Sequence, residues 1–198
     1  GLWPNGAHRY TPCIMSHHPS LIESGFLYLR HGQSESNVRG LIGGATDYAL
    51  TDQGRDEARA AGERLRGQDI SAIYASPLQR AYDTACIVAE ALGGVSVEVH
   101  EDLRERTLGV WEGQPISEFV RGVTPEGGEP IESFRSRIIG SLDVIAAPPT
   151  VLLVAHAGVY RVLREHLVGA DVPERARNAE PMAFGPGDRA GTWRVASV

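Results

Sequence analysis

Lysine is absent from this chain of 198 residues, so all nineteen of its basic side chains are arginines. A Walker-type phosphate loop needs a lysine, and so does Schiff-base chemistry, which excludes both functions. Acidic residues outnumber basic ones, and the formal net charge at neutral pH is -6. That balance argues against nucleic acid or an anionic membrane as a partner.

Cysteine is scarce and long apolar runs are missing. The two cysteines, Cys13 and Cys86, lie far apart and outside any C-x-x-C pattern, which argues against a disulfide framework and a cysteine-rich zinc site. No apolar stretch approaches the length of a membrane span. We therefore expect no membrane partner and a cytoplasmic location.

The first two dozen residues are rich in proline, histidine and serine, and they lack the continuous apolar centre of a signal peptide. We interpret residues 1–24 as a loosely ordered N-terminal extension. Residues 25–198 are expected to form a single domain, a size that one domain with a sizeable core can fill. Three histidines of the extension, His8, His17 and His18, are more consistent with an incidental role than with metal binding.

Strand and helix patterns alternate through most of the chain. Runs typical of strands occupy residues 26–29, 70–75, 95–99 and 151–155, and the tail at 181–184 and 192–197 is typical of one or two edge strands. Patterns typical of helices occupy residues 52–66, 76–92, 131–146 and 159–168, with a short helix near 117–121. This alternation predicts an α/β fold, a three-layer α/β/α sandwich with a mostly parallel central sheet.

Charged or titratable side chains stand where three of the predicted strands end. Arg30 and His31 close the first strand, Arg80 lies at the start of the helix after the second, and His156 closes the strand at 151–155. Because ligands bind at the carboxyl ends of parallel strands, we expect these side chains to meet. Two guanidinium groups, two imidazoles and nearby helix N-termini suit a dianionic tetrahedral group such as phosphate.

An ordered set of short motifs resembles the histidine phosphatase superfamily, also called phosphoglycerate mutase-like. The motifs are Leu29-Arg30-His31-Gly32-Gln33-Ser34 with Asn37, Leu50-Thr51-x-x-Gly54, Ser76-Pro77-Leu78-x-Arg80-Ala81-x-x-Thr84-Ala85, Leu103-Arg104-Glu105-Arg106, Gly109-x-Trp111-Glu112-Gly113, Gly127-Gly128-Glu129 and Val154-x-His156-x-Gly158. The resemblance covers roughly residues 25 to 185 and is strongest to the phosphatase branch. It implies a phosphoglycerate mutase-like fold.

The resemblance also implies a covalent mechanism carried by five catalytic residues. His31 would attack phosphorus and become a phosphohistidine, and Glu105 would protonate the leaving alcohol and later deprotonate a water. Arg30, Arg80 and His156 would bind the substrate's phosphoryl oxygens. The two arginines should also disfavour the imidazolium form of His31 and so keep it nucleophilic.

Three further residues resemble substrate-binding positions of the family. Ser34 and Asn37 match supporting phosphate contacts, and Glu129 matches a residue near the substrate in some phosphatases, with loop capping as an equal alternative. We expect neither a cofactor nor a metal, because an arginine fork can hold phosphate without one and no carboxylate cluster suggests magnesium or zinc.

Two alternatives to a phosphatase remain open. We expect a phosphoric monoester hydrolase of the histidine acid phosphatase type that acts on a small phosphorylated metabolite. A cofactor-dependent phosphoglycerate mutase is the first alternative, but only fifty residues separate Glu105 from His156, and no paired arginines lie between them. The tyrosine common after the acid/base motif of mutases is replaced around Thr107-Leu108. An inactive binding or regulatory protein is the second alternative, and pairing of two copies through an edge strand stays open.

Overall fold

The computed structural model describes residues 20–146, 149–169 and 175–198. The strands are β1 (Phe26–Arg30), β2 (Ala72–Ala75), β3 (Val97–Val99), β4 (Val151–Ala155), β5 (Pro181–Pro186) and β6 (Trp193–Ser197). The helices are α1 (Leu21–Ser24), α2 (Glu35–Val38), α3 (Asp52–Arg64), α4 (Gln79–Ala91), α5 (Ile131–Val144) and α6 (Ala157–Leu167). Short 3-10 turns lie at Glu101–Leu103, Gly109–Trp111 and Ile116–Glu118.

The six strands form one sheet in the order β3-β2-β4-β1-β5-β6. The four strands from β3 to β1 are parallel, β5 runs antiparallel to β1, and β6 runs antiparallel to β5. The prediction of a mostly parallel sheet with the tail as edge strands is therefore confirmed. Since the parallel part needs crossover connections, helices cover both of its faces.

Alternating side chains of the strands supply two hydrophobic cores, one on each face of the sheet. Phe26 and Tyr28 of β1 pack in the core formed with α5 and α6, whereas Leu27 and Leu29 pack in the core formed with α3 and α4. The period of two along a strand produces this division, and it makes β1 apolar on both faces. The three-layer prediction is confirmed.

A short helical turn precedes β1 and packs against the core. Residues Leu21–Ser24 form a helical turn, and the Leu21 side chain is fully buried in the core beside α5 and α6. An apolar side chain in this turn thus contributes to a tertiary core, and the division of the chain into residues 1–24 and 25–198 stays a prediction. The three histidines of the expected extension lie outside the described residues.

Local signals at helix ends have mixed outcomes. Thr51 caps α3 as predicted, since its hydroxyl accepts the Gly54 N–H at 3.0 Å. The helix expected from Ser76 begins only at Gln79, because the Ser76 N–H continues the sheet and donates to the Val154 carbonyl.

Among the helices of the described ranges, none is long and apolar enough to cross a membrane.

Candidate active site

The register of the three central strands aligns their carboxyl ends. Val154 of β4 lies opposite both Leu29 of β1 and Ala75 of β2. The next residues of each strand therefore emerge side by side, and the His31 N–H donates to the Ala155 carbonyl at 3.0 Å. This register brings the imidazole rings of His31 and His156 together, with their centroids 5.2 Å apart and their planes inclined by 59°.

His31 is buried and held in one tautomer. Its side chain is 4% exposed, and its Nδ1 lies 2.7 Å from the Gly32 carbonyl oxygen. Because a carbonyl only accepts, Nδ1 must carry the hydrogen, which leaves the lone pair of the neutral ring at Nε2. Burial lowers the pKa of His31 well below its usual value, and the charges of Arg80 and Arg30 lower it further.

His156 is the N-cap residue of α6 and is 1% exposed. Its Nε2 lies 2.7 Å from the Ser76 hydroxyl. Its backbone carbonyl accepts the Tyr28 hydroxyl at 2.6 Å, which ties the start of α6 to β1. Burial, followed by the charges of Arg80, His31 and Arg30, lowers the pKa of His156 well below its usual value. Both imidazoles are therefore neutral near pH 7.

Arg30 and Arg80 bring two guanidinium groups to the same edge of the sheet. The Arg80 side chain is 3% exposed and donates to the carbonyls of Gly44 and Thr46 at 2.8 and 2.9 Å. Arg30 donates to the Ala176 carbonyl at 3.0 Å. Burial lowers the pKa of both arginines and the charge of Glu105 opposes that shift, so both cations lie within electrostatic reach of this carboxylate.

Glu105 reaches this edge from the loop after the first 3-10 turn. Its Oε1 accepts the Arg106 N–H and its Oε2 accepts the Gly158 N–H, each at 2.9 Å. A Cβ on Gly158 would overlap the carboxylate, so only glycine permits this approach. The backbone N–H of the second residue of α6 therefore holds the expected acid/base group close to His156, the N-cap residue of the same helix.

The structure thus brings together all five residues expected at the three strand ends and in the acid/base motif. We call Arg30, His31, Arg80, Glu105 and His156 the polar cluster. It combines one nucleophilic nitrogen, one further imidazole, two permanent cations and one carboxylate. Such a set can bind a tetrahedral dianion, attack it and exchange a proton with its leaving group.

Ser34 and Asn37 lie directly after His31, where they cap the short helix α2. The Ser34 backbone N–H and hydroxyl both contact Asn37 Oδ1 at 3.1 Å, and that oxygen also accepts from Asn178 Nδ2 at 3.1 Å. Ser34 is fully buried, whereas Asn37 is exposed. The geometry gives both a structural role in shaping the loop after His31, and phosphate contact by them stays a prediction.

Glu129 is engaged by an arginine of α5. Its Oε1 and Oε2 accept from Arg137 Nε and Nη2 at 2.7 and 2.9 Å, which forms a bidentate ion pair. Its backbone N–H and carbonyl bond to Thr107 and Arg106. These contacts favour the loop-capping alternative for Glu129 over direct binding of substrate.

Sequence reasoning missed several residues that support the cluster. Thr84 is fully buried, accepts the Gly32 N–H at 3.1 Å and donates to the Arg80 carbonyl at 2.7 Å. Asn178 donates to the His31 carbonyl at 2.9 Å. Thr84 stands in the second arginine motif, which is a signal that could have identified it, but no spacing or motif points to Asn178.

Close backbone packing explains one glycine of the opening motif. A Cβ on Gly32 would overlap the Gly54 carbonyl, and a Cβ on Gly54 would overlap the Gln33 carbonyl. The loop after β1 therefore rests directly on the first turn of α3, and both positions require the smallest residue.

Within the described ranges, no group of three or more histidine, cysteine or acidic residues could hold a metal ion.

Comparison with known families agrees with this arrangement. The model of the histidine phosphatase superfamily (branch 1) matches residues 26–182. Phosphoglycerate mutase-like protein 4 of Arabidopsis thaliana is 34% identical over 157 residues, which cover 69% of this chain and 68% of that protein. A 2,3-bisphosphoglycerate-dependent phosphoglycerate mutase of Parvibaculum lavamentivorans is 32% identical over 158 residues, covering 68% and 75%.

Other relatives are longer proteins or have solved structures. A bifunctional protein of Mycobacterium tuberculosis is 35% identical over 154 residues, which cover 69% of this chain but only 42% of that protein. The structure of a mycobacterial glucosyl-3-phosphoglycerate phosphatase in complex with VO3 superposes with a TM-score of 0.73. It is 30% identical to this chain, and the match covers 88% of this chain and 98% of that one.

Proposed function

The chain belongs to the histidine phosphatase superfamily, and on that premise we propose that it is a metal-independent phosphomonoesterase that forms a phosphohistidine on His31. One observation carries the proposal. The Gly32 carbonyl accepts a hydrogen bond from Nδ1–H of a buried, neutral His31, so that the Nε2 lone pair is available beside His156 and two arginines. A neutral imidazole with a fixed tautomer is a competent nucleophile near neutral pH.

The proposed reaction has two steps. In the first, His31 Nε2 forms a bond to phosphorus, the ester P–O bond breaks, and Glu105 gives its proton to the departing alkoxide. In the second, Glu105 takes a proton from water, the water oxygen bonds to phosphorus, and the P–N bond breaks to release phosphate. Arg30 and Arg80 balance the charge on the phosphoryl oxygens throughout.

The substrate class follows from the family and the neighbours. We propose a small phosphorylated metabolite, and the glucosyl-3-phosphoglycerate phosphatase supports this because its name describes such a substrate. The loops around residues 40–49 and 107–130 adjoin the cluster, since Gly44 and Thr46 bind Arg80 and Arg106 follows Glu105. These loops are the expected source of substrate specificity.

A mutase is the second candidate, because a curated relative carries that name. A mutase must also grip a second acidic group of its substrate. Three arginines between Glu105 and His156 are already engaged: Arg106 by the Glu129 carbonyl and Thr124, Arg135 by Glu165, and Arg137 by Glu129. This engagement supports the phosphatase over the mutase.

The test is hydrolysis of p-nitrophenyl phosphate in the presence of a metal chelator. We expect activity in the unaltered protein and a loss of at least about a thousandfold in kcat for His31→Ala, since the covalent route is removed. His166→Ala is the matched control, because His166 is an exposed histidine of α6 and should leave the rate unchanged.

Three results would overturn the proposal. Full activity in His31→Ala would refute the nucleophile, and no hydrolysis of any phosphomonoester by the unaltered protein would favour a binding or regulatory role. Exchange between 2- and 3-phosphoglycerate much faster than hydrolysis would establish the mutase instead. Trapping of acid-labile phosphate on His31 after a rapid quench would support the proposed intermediate.

A further inference from the structure

A buried hydroxyl next to the polar cluster contacts its second histidine. Ser76 follows β2 and is fully buried, and its Oγ lies 2.7 Å from His156 Nε2. The same Oγ accepts the backbone N–H of Leu78 at 3.3 Å. The other ring nitrogen of His156, Nδ1, is buried and has no hydrogen-bond partner in the part of the chain that the structure describes.

The contacts of Ser76 determine which nitrogen of His156 carries hydrogen. A serine hydroxyl has a single proton to donate. The Leu78 N–H already donates to one lone pair of Oγ. The hydroxyl proton therefore has a hydrogen-bond acceptor only when it is donated to Nε2 of His156. If Nε2 carried a hydrogen, the Ser76 proton would be buried without an acceptor among the described residues, which is unfavourable.

The doubly protonated ring is also disfavoured. Burial and the charge of Arg80 lower the pKa of His156 well below its usual value, and His31 and Arg30 act in the same direction. Arg137 of α5 adds a further positive charge with the same effect. His156 is consequently a neutral ring at neutral pH, with its one hydrogen on Nδ1.

We propose that Ser76 is a positioning residue that holds His156 in the Nδ1–H tautomer, so that this N–H donates to a phosphoryl oxygen. The hydrogen bond to the Gly32 carbonyl keeps the hydrogen of His31 on Nδ1 and leaves a lone pair on Nε2. The hydrogen bond from the Ser76 hydroxyl occupies Nε2 of His156 and leaves the hydrogen on Nδ1. The two neighbouring rings thereby have different roles: His31 attacks phosphorus, and His156 donates a hydrogen bond to a phosphoryl oxygen. This catalytic consequence rests on the proposed function, whereas the tautomer itself does not.

The first test reads the tautomer directly, without an activity assay. Protein labelled with 15N at histidine is studied by long-range 1H–15N correlation, and the His156 signals are assigned by their absence in His156→Gln. We expect a protonated Nδ1 and an unprotonated Nε2 in the unaltered protein. In Ser76→Ala we expect a larger share of the Nε2–H form than in the unaltered protein. An Nε2–H ring in the unaltered protein would overturn the inference.

The second test measures the catalytic consequence. Ser76→Ala should lower kcat for p-nitrophenyl phosphate on the order of tenfold, because the donor is weakened but still present. Inhibition by vanadate should weaken to a similar extent. Ser141→Ala is the matched control, since Ser141 is also fully buried but donates within α5 to the Ile138 carbonyl. Its kcat should be unchanged.

The outcomes separate this inference from the proposed function. If the unaltered protein shows no hydrolysis, the proposed function fails, and the spectrum still decides the tautomer. If hydrolysis depends on His31 but Ser76→Ala keeps both the Nδ1–H spectrum and the rate, the inference fails alone. If Ser76→Ala and Ser141→Ala lose activity equally, the effect of Ser76 is one of stability and the positioning role is refuted.

Discussion

Gly158 occupies the second position of α6, where its backbone N–H donates to Glu105 Oε2 at 2.9 Å. The contact places the carboxyl group at the N-terminus of a helix of eleven residues. A side chain at this position would displace the carboxylate, because a Cβ would overlap it. The backbone of one residue thus fixes the expected proton donor.

We expect Gly158→Ala to displace the Glu105 carboxylate and impair proton transfer. The loss in kcat should reach about 10²-fold for alkyl phosphates, whose leaving groups need a proton, and should be smaller for p-nitrophenyl phosphate. Steady-state kinetics with both substrate types measures the difference. Gly140→Ala in α5 is the control, since a Cβ there meets nothing within 4 Å. Equal losses for both leaving groups would contradict the role assigned to Gly158.

At the scale of elements, α5 holds the segment that carries Glu105. Arg137 donates to the carbonyls of Asp102 and Arg104 at 2.6 and 2.7 Å, and more weakly to the Glu105 carbonyl at 3.3 Å. The same guanidinium pairs with Glu129, and both side chains are less than one fifth exposed. One arginine therefore joins α5, the 3-10 turn before Glu105 and the loop that ends at Glu129.

We expect Arg137→Lys to lower both stability and turnover, because an ammonium group cannot reproduce the planar fork. The free energy of unfolding should fall by about 2–3 kcal/mol, since backbone carbonyls and the half-buried Glu129 carboxylate lose donors. Urea unfolding and steady-state kinetics provide the two measurements.

The control for this change is Arg59→Gln. Arg59 pairs with Asp56 on the surface of α3, where its side chain is 61% exposed, so the stability change should stay within about 0.5 kcal/mol. A comparable loss in the two variants would show that Arg137 is an ordinary surface charge.

At the scale of the whole molecule, the two neutral histidines link stability to pH. In the unfolded chain a histidine binds a proton near pH 6.5. In the folded protein, burial first and the neighbouring arginines second lower the pKa of His31 and His156 well below that value. Below pH 6.5 the unfolded state therefore binds more protons, so stability is complete above that pH and is lost as the pH falls.

We expect the free energy of unfolding to fall by about 1.4 kcal/mol per pH unit for each of these histidines below pH 6.5, until the folded protein also takes up protons. Urea unfolding between pH 7.5 and 5.5 measures the slope. The variant His31→Gln with His156→Gln should flatten it, whereas His166→Ala, at an exposed position, should not. An unchanged slope in the double variant would mean that other groups carry the pH dependence.

The sequence alone determined the elements that position the site. Fully apolar runs identified β1 and β4, because strands buried on both faces cannot alternate polar and apolar residues. Arginine and histidine at the ends of such runs located the sheet edge where all five residues of the polar cluster meet. These signals are local, since each depends only on the composition and order of a few neighbouring residues.

Only the tertiary structure decided how the cluster is held. The contacts of Ser76 with His156 and of Gly158 with Glu105 join segments 80 and 53 residues apart. Arg30 and Arg80 are anchored on backbone carbonyls, a group that every residue carries and that leaves no trace in the sequence. Burial, which keeps both imidazoles neutral, likewise arises only when two cores and several loops close around them.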